Sequence, residues 1–120
     1  MKRSIEIKDA IVKVLDEPGA GGACHMYEII NRPLKDEASK TLCKISFQNG
    51  PIKEVGTNGV QHEALITVII DRLEHFQKGD FRCRENAMAM TKLQEAAMWL
   101  NSRTSKRESM GVEGTNKNHE

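Results

Sequence analysis

Two groups of neighbouring side chains combine residue types that could perform nucleophilic or acid–base chemistry. Cys24 directly precedes His25, but adjacent side chains on a predicted strand point to opposite faces, which separates a thiol from its base. Asp71 and Glu74 would share a helix face as an acid–base couple. Asp71 also has His75 four residues on, which favours a charge-paired, solvent-facing surface. Neither group predicts catalysis.

The sequence carries no compact signature of a metal or phosphate site. Its four histidines include no i,i+4 pair, and its three cysteines are too widely spaced for a CxxC clamp. The glycine-rich stretch at residues 16–22 is not followed by the predicted helix that a phosphate-binding loop requires. We therefore expect no metal, no cofactor and no enzymatic activity.

A binding function has more support, from a basic cluster of Arg103, Lys106 and Arg107 at the end of the second predicted helix. These cations either interact only with the helix dipole or bind a phosphate group. Arg107 continues the apolar seam of that helix, although its place in a terminal turn predicts little effect on folding. Asn86 lies at the seam's other end, where a polar residue fixes register or contacts a ligand. Phe76 either packs in the core or stacks on a base.

The composition of the chain indicates which kinds of protein could carry these side chains. The 120 residues suffice for one domain, whose core must be aliphatic because aromatic residues make up only 4%. The formal net charge of +1 argues against binding of duplex nucleic acid. No apolar run approaches the ~20 residues of a membrane helix, and the start lacks the apolar region of a signal peptide. The odd cysteine count fits a reduced, cytosolic protein.

The first half of the chain, residues 1–59, predicts a small antiparallel sheet. We predict strands over residues 24–30 and 41–47, each bounded by turn signals. Residues 5–15 fit either a helical face or a strand, and their β-branched residues favour the strand.

Residues 60–108 predict an antiparallel hairpin of two helices. Asn58 as N-cap and Gln61 three residues later resemble a capping box, and the first helix then runs to about Gln77. The second helix runs from about 84 to 107 along a heptad-like seam. The seam consists of Asn86, Met90, Leu93, Ala97, Leu100, Thr104 and Arg107. The predicted fold class is α+β, a sheet followed by the hairpin, in a single domain over residues 1–116 whose polar residues 109–120 form a tail.

Short segments spread along the chain form a recognisable combination. They are ACH at 23–25 with Tyr27, FQNGPIKEVG at 47–56, CRENA at 83–87, Trp99-Leu100, Arg103-Thr104 and GVEGT at 111–115. This combination resembles the phage Thoeris anti-defence sponge family, type one, over residues 16–116. Through its helical hairpin that family is related to the phage anti-CBASS cyclic-nucleotide sponges.

The resemblance implies a non-catalytic protein that acts in the cytoplasm of the bacterial host. Members of the family bind and sequester the cyclic ADP-ribose isomers that TIR-domain proteins make during bacterial immunity. Some members also sequester cyclic di- or trinucleotides at separate sites. They are homodimers that can assemble into hexamers.

The resemblance also implies a set of site residues. Carried over by position, the family's signal-contacting residues fall on Phe76, Asn86, Arg103 and Arg107. A further basic contact from the β-rich half falls nearest to Lys53, with Arg32 as a weaker candidate. An unbroken second helix would hold Asn86 and Arg103 about 25 Å apart, so a site that uses all four residues needs two chains. The seam from Met90 to Leu100 would then form part of the dimer interface.

Two other function classes stay open from the residues alone. One is a non-catalytic oligomerisation or interaction protein of phage origin, whose arginine cluster only caps a helix. The other is a small nucleic-acid-binding regulator, against which the near-zero net charge and the lack of a clear recognition helix both count.

Overall fold

The computed structural model describes residues 3–111, which form two compact units. The first unit ends at Val60 and holds the strands, and the second begins at Gln61 and holds the two long helices. Most of the predicted tail, residues 112–120, lies outside the described residues. Its first residues differ from the prediction, because Ser109 still belongs to the last helix and only Met110 and Gly111 form a turn.

Four strands make up the sheet of the first unit. They are β1 (Arg3–Glu6), β2 (Ala10–Val14), β3 (Met26–Asn31) and β4 (Thr41–Ser46). All neighbouring strands are antiparallel and follow the order β1-β2-β3-β4, so each strand pairs with the next one along the chain. The antiparallel N-terminal sheet predicted from the sequence is confirmed.

The register of the sheet places most of its apolar residues on one face, although Ile11 and Ile30 lie opposite each other on the other face. Val12 lies opposite Ile29, and Val14 lies opposite Tyr27. Val14 is only 1% exposed, as the branched side chain of a valine favours in a pleated, packed surface. Lys13, between the two valines, points to the other face because strand residues alternate.

The segment at residues 5–15 is β structure, the favoured one of the two alternatives, but it is not a single strand: it holds the end of β1, a turn and all of β2. Its turn closes where the Ile7 N–H donates to the Ala10 carbonyl at 3.0 Å. The strand predicted from residue 24 begins two residues later, at Met26. The N–H groups of His25 and Met26 are instead bound by the Asp16 carboxylate, at 2.9 and 3.1 Å.

Residues 47–60 form a loop that contains the short helix α1 (Ile52–Val55) and returns to the end of β4. The return brings Gly59 so close to the strand that a Cβ on it would lie 2.6 Å from the Ser46 carbonyl oxygen. Only glycine allows so close an approach of two backbones.

Two polar side chains hold this loop in place. Gln48 Nε2 donates to the carbonyls of Gly50 (3.1 Å) and Gly56 (2.9 Å), and its Oε1 accepts the Asn58 N–H at 2.9 Å. The Asn58 amide bonds to both main-chain groups of Asn49, at 2.8 and 2.7 Å. The prediction that Asn58 caps the next helix is therefore wrong, because its side chain is committed within the loop.

The second unit is the predicted hairpin, formed by α2 (His62–Gln77) and α3 (Arg84–Ser109), which pack against each other. Gln61 is the N-cap residue of α2. Every residue of the predicted α3 seam is half-buried or buried, whereas Met98 and Trp99 are 58% and 70% exposed. The heptad pattern thus identified the covered face of α3. No helix within residues 3–111 is both long and apolar enough to cross a bilayer.

Candidate ligand-binding site

The loop end of the hairpin brings Phe76 and Asn86 together. Phe76 is half-buried in the last turn of α2, and Asn86 lies in the first turn of α3. The Asn86 side chain donates from Nδ2 to the Phe81 carbonyl at 3.4 Å, and its main-chain N–H donates to Cys83 Sγ at 3.4 Å. The Cys83 sulfur thereby caps α3, because it satisfies one of the free N–H groups of the first turn.

The connection between the helices is tied to α2 by Gln77. Its Nε2 donates to the Cys83 carbonyl at 3.0 Å, and its Oε1 accepts the Cys83 N–H at 3.0 Å. Both bonds link a side chain to main-chain groups six residues away. The turn is therefore a defined structure that sets the position of the residues within it.

Two residues at this end were not singled out by the sequence analysis. The rings of Phe76 and Phe81 lie edge to face, with centroids 6.3 Å apart and an interplanar angle of 83°. The Arg72 guanidinium lies 5.1 Å from the Phe76 ring centroid, within the range of a cation–π interaction. Arg72 precedes Phe76 by four residues on one helix, so their i,i+4 spacing was a usable signal. Phe81 lies in the turn, where periodicity gives no signal.

The two predicted arginines lie at the far end of α3 and differ sharply in exposure. Arg103 is exposed, whereas Arg107 is 6% exposed, a rare environment for arginine unless it is paired. Arg107 does interact with other groups of the chain. Its burial argues against the expectation that a residue in the terminal turn matters little for folding.

The unbroken helix α3 separates the two halves of the predicted site. Asn86 and Arg103 both lie on α3, and 17 residues at about 1.5 Å each place them about 25 Å apart. Within one chain, then, Phe76 and Asn86 belong to one end of the hairpin and the arginines to the other. A single small ligand cannot reach both ends.

The two basic candidates of the first unit have different surroundings. Arg32 is engaged in the sheet, because its guanidinium donates to the Ile7 carbonyl at 2.7 Å and to the Glu6 carboxylate at 2.5 Å. Lys53 lies on α1 with an exposed side chain. Lys53 is the more available cation of the two.

The side chains considered for catalysis are engaged in structural contacts. The Cys24 thiol donates to the Asp16 carbonyl at 3.4 Å, and the buried His25 ring lies with Nε2 2.9 Å from the Ala20 carbonyl. Since a carbonyl oxygen only accepts hydrogen bonds, Nε2 carries the proton there. Asp71 and His75 form the predicted surface pair at 3.7 Å, and both are about 70% exposed (72% and 69%).

Electrostatics in the first unit serve the fold. The His25 N–H, and less strongly the Met26 N–H, hold the pKa of the Asp16 carboxyl below its ordinary value against the opposing effect of desolvation. Over residues 3–111, no group of three or more His, Cys, Asp or Glu side chains is arranged to hold a metal ion.

Comparison with known proteins locates the hairpin in a family. The family model described as "Acb2/Tad1, hairpin domain" matches residues 39–105, which include β4, all of α2 and most of α3. A protein of Bacillus phage SBSphiJ7 named Thoeris anti-defense 1 is 58% identical over 82 residues. The aligned part is 68% of this chain and 57% of that relative, so the chain spans little more than half of the relative's length.

Proposed function

The chain belongs to the Acb2/Tad1 hairpin-domain family, and we propose that it is a viral anti-defence protein that binds a cyclic ADP-ribose isomer and sequesters it. The observation that carries the proposal is the family match over residues 39–105, which includes Phe76, Asn86 and Arg103. The name of the phage relative, Thoeris anti-defense 1, supports the same role. The protein acts in the cytoplasm of the bacterial host, where the immune signal is made.

The chemistry of the four site residues suits this ligand. Cyclic ADP-ribose presents a diphosphate, two riboses and an adenine. Arg103 and Arg107 bind the diphosphate, since guanidinium groups form charge-assisted, bidentate hydrogen bonds with phosphate oxygens. Phe76 offers an aromatic surface to adenine, and the Asn86 amide can bond to a base edge or a ribose hydroxyl.

A complete site requires two chains. The 25 Å separation along α3, estimated from the helical rise, means that Phe76 and Asn86 of one chain meet Arg103 and Arg107 of another. A two-fold symmetric dimer with antiparallel α3 helices makes this contact twice, and so forms two equivalent sites. Met98 and Trp99, exposed on α3, supply the apolar surface for such a contact better than the seam from Met90 to Leu100, which is already half-buried. The family's hexamers would then be assemblies of these dimers.

The protein holds the signal without degrading it. The Asp71–His75 pair is an exposed surface pair on α2, and His25 and Cys24 are bonded to main-chain carbonyls. Sequestration needs high affinity instead of turnover, and nanomolar binding corresponds to about −12 kcal/mol. A small anion reaches that value only when it is nearly engulfed, which a site between two chains provides. Cyclic di- or trinucleotides are further candidate cargo.

Capture and release test this proposal. The purified protein is incubated with a cyclic ADP-ribose isomer and filtered, and the retained fraction is then heated. We expect the ligand to be depleted from the filtrate and recovered chemically intact after the protein is denatured. A converted product would show an enzyme. A filtrate that keeps all of the ligand, together with binding of duplex DNA in a parallel sample, would show a nucleic-acid-binding regulator.

A further inference from the structure

We propose that Phe81 is a further nucleobase-binding residue, which adds a second aromatic surface to the one that Phe76 offers. The inference rests on the proposed function, since it assigns a new contact to the same site. It arises from the loop end of the hairpin alone, where Phe81 contacts Phe76, Arg72 lies against the Phe76 ring, and the Asn86 amide bonds to the Phe81 carbonyl.

Phe81 is far more exposed than its chemistry favours. Its side chain is 77% exposed, although burying a phenylalanine is one of the larger stabilising contributions a side chain can make. An exposed aromatic ring is unremarkable in a loose loop, but this one belongs to a fixed turn. The Phe81 carbonyl accepts a bond from Asn86 Nδ2 (3.4 Å), and Gln77 holds Cys83 two residues later through two bonds of 3.0 Å. The turn thus holds an open aromatic surface in a defined place.

The neighbouring ring cannot offer all of its surface to a ligand. Phe76 is half-buried, the Arg72 guanidinium lies 5.1 Å from its centroid, and Phe81 meets it at 83°. A base that stacks at this end therefore finds part of Phe76 covered and most of Phe81 open. Two rings at a right angle form a corner that contacts the face of a purine with one ring and its edge with the other.

The polar group beside this corner suits a base better than an apolar partner. Asn86 uses one N–H on the Phe81 carbonyl, which leaves its Oδ1 and its second N–H for an adenine edge. The same bond links Asn86 to Phe81, so a ligand held by the amide is placed against the ring. Because the turn is already ordered, little conformational entropy is lost when the base binds.

The test is calorimetric titration of the full chain with a cyclic ADP-ribose isomer. Phe81→Leu keeps an apolar side chain and removes the ring, Phe81→Tyr restores a ring, and Leu34→Ala is the control, because Leu34 of the first unit is equally exposed at 76%. Stacking on an aromatic residue contributes enough that Phe81→Leu should weaken binding roughly 5- to 100-fold. Phe81→Tyr should stay within about threefold of the parent, and Leu34→Ala should bind like the parent.

Two controls separate this contact from other roles of Phe81. Thermal unfolding and native mass spectrometry should show the same stability and oligomeric state for Phe81→Leu and the parent. In protein with labelled phenylalanine, adenine protons of the bound ligand should show nuclear Overhauser effects to two rings, and to one ring in Phe81→Leu.

Each outcome decides the inference. Unchanged affinity in Phe81→Leu, or a loss of affinity that follows dissociation of the oligomer, overturns the role of Phe81 and leaves the proposed function standing. A parent protein that captures no cyclic ADP-ribose isomer overturns the proposed function, and this inference with it.

Discussion

The first unit, which holds the sheet and is called the β unit below, and the helical hairpin are held in shape by different kinds of interaction. In the β unit, polar side chains bind main-chain groups at each turn: Asp16 fixes the start of β3, and Gln48 and Asn58 fix the loop after β4. In the hairpin, the covered face of α3 follows a heptad-like seam. Aromatic and cationic side chains lie at the ends of the hairpin. The β unit is thus specified by individual bonds, and the hairpin by a repeating pattern.

This difference predicts where single substitutions have large effects. Individual bonds and close backbone contacts fail when one residue changes, whereas a repeating seam distributes its stabilisation over many residues. The ligand chemistry proposed above lies mainly on the hairpin. Substitutions in the β unit should therefore mainly change stability, and substitutions at the hairpin ends should mainly change affinity.

The largest effect is expected for Gly59→Ala. The new Cβ would lie 2.6 Å from the Ser46 carbonyl oxygen and closer still to the Phe47 carbonyl, so two backbones would have to separate, at a cost of about 3 kcal/mol of unfolding free energy. Gly79→Ala is the matched control in the hairpin, where the nearest atom, the His75 carbonyl oxygen, lies at 3.8 Å. Urea denaturation compares the two variants, and equal stability would contradict the close approach at Gly59.

The two arginines of α3 should separate binding from folding. Arg103→Ala and Arg107→Ala should each weaken ligand binding by about 1.5–3 kcal/mol, the contribution of a charged hydrogen bond. Because Arg107 is 6% exposed and Arg103 is exposed, only Arg107→Ala should also lower the free energy of unfolding, by about 1–3 kcal/mol. Calorimetry and urea denaturation on the same samples check both effects. If Arg107→Ala unfolds like the parent and binds less tightly, its burial has no structural importance.

Loosening the loop of the β unit should have a moderate effect. Asn58→Ala removes the two bonds to Asn49 and should lower stability by about 1 kcal/mol, since the freed groups are exposed and can bond to water. Hydrogen exchange of the loop amides should rise, while exchange in α2 stays as in the parent. Faster exchange in α2 would instead support the discarded assignment of Asn58 as its N-cap.

The sheet should lose stability in acid through Asp16 and Glu37. The pKa of each carboxyl is lowered, for Asp16 first by the His25 N–H and for Glu37 first by the Leu34 N–H. A carboxyl with a lowered pKa in the folded state stabilises the protein above its unfolded pKa, near 4, and that contribution disappears as pH falls through the folded value. Near-ultraviolet circular dichroism of Tyr27, the protein's one tyrosine, should report this loss below about pH 4. Asp16→Asn should reduce the pH dependence, and an unchanged pH profile would contradict the account.

The smallest effect is expected for the double variant Asp71→Ala/His75→Ala. Both side chains are exposed, and His75 Nδ1 lies 3.7 Å from the Asp71 carboxylate, so stability should change by no more than about 0.5 kcal/mol. Ligand capture should be unchanged. A variant that stopped converting the ligand, where the parent converts it, would show that the pair is catalytic.

The sequence predicted the hairpin, which a repeating pattern specifies, better than the β unit, which individual hydrogen bonds specify. The α3 seam was predicted residue by residue because its period is local, and each member from Asn86 to Arg107 is indeed covered. The role of Asn58 was not, because its choice between capping α2 and binding Asn49 depends on where the chain returns to the sheet. Asp16 likewise binds N–H groups nine and ten residues away, a contact that no local pattern signals.

The candidate site was predictable in its residue types and only partly in its arrangement. Phe76 and Asn86 do lie at the same end of the hairpin, where both contact Phe81, and the helical rise along α3 separates them from Arg103. Phe81 carries no signal in the sequence because a residue in a turn belongs to no periodic pattern, whereas the i,i+4 spacing of Arg72 and Phe76 is a signal that the sequence does contain. The single domain and the ligand roles of Phe76, Asn86, Arg103 and Arg107 stay predictions.

Native mass spectrometry of the protein with a cyclic ADP-ribose isomer tests the central proposal, intact capture at a site shared between chains, most directly. We expect an oligomer with an even number of chains that carries one ligand per chain, each of unchanged mass, and that releases the ligand unchanged on activation. A mixture of Asn86→Ala with Arg103→Ala/Arg107→Ala protein, after subunit exchange, should regain one ligand per heterodimer. A ligand-bound monomer, a ligand of altered mass, or confirmed exchange without any return of binding would contradict the account.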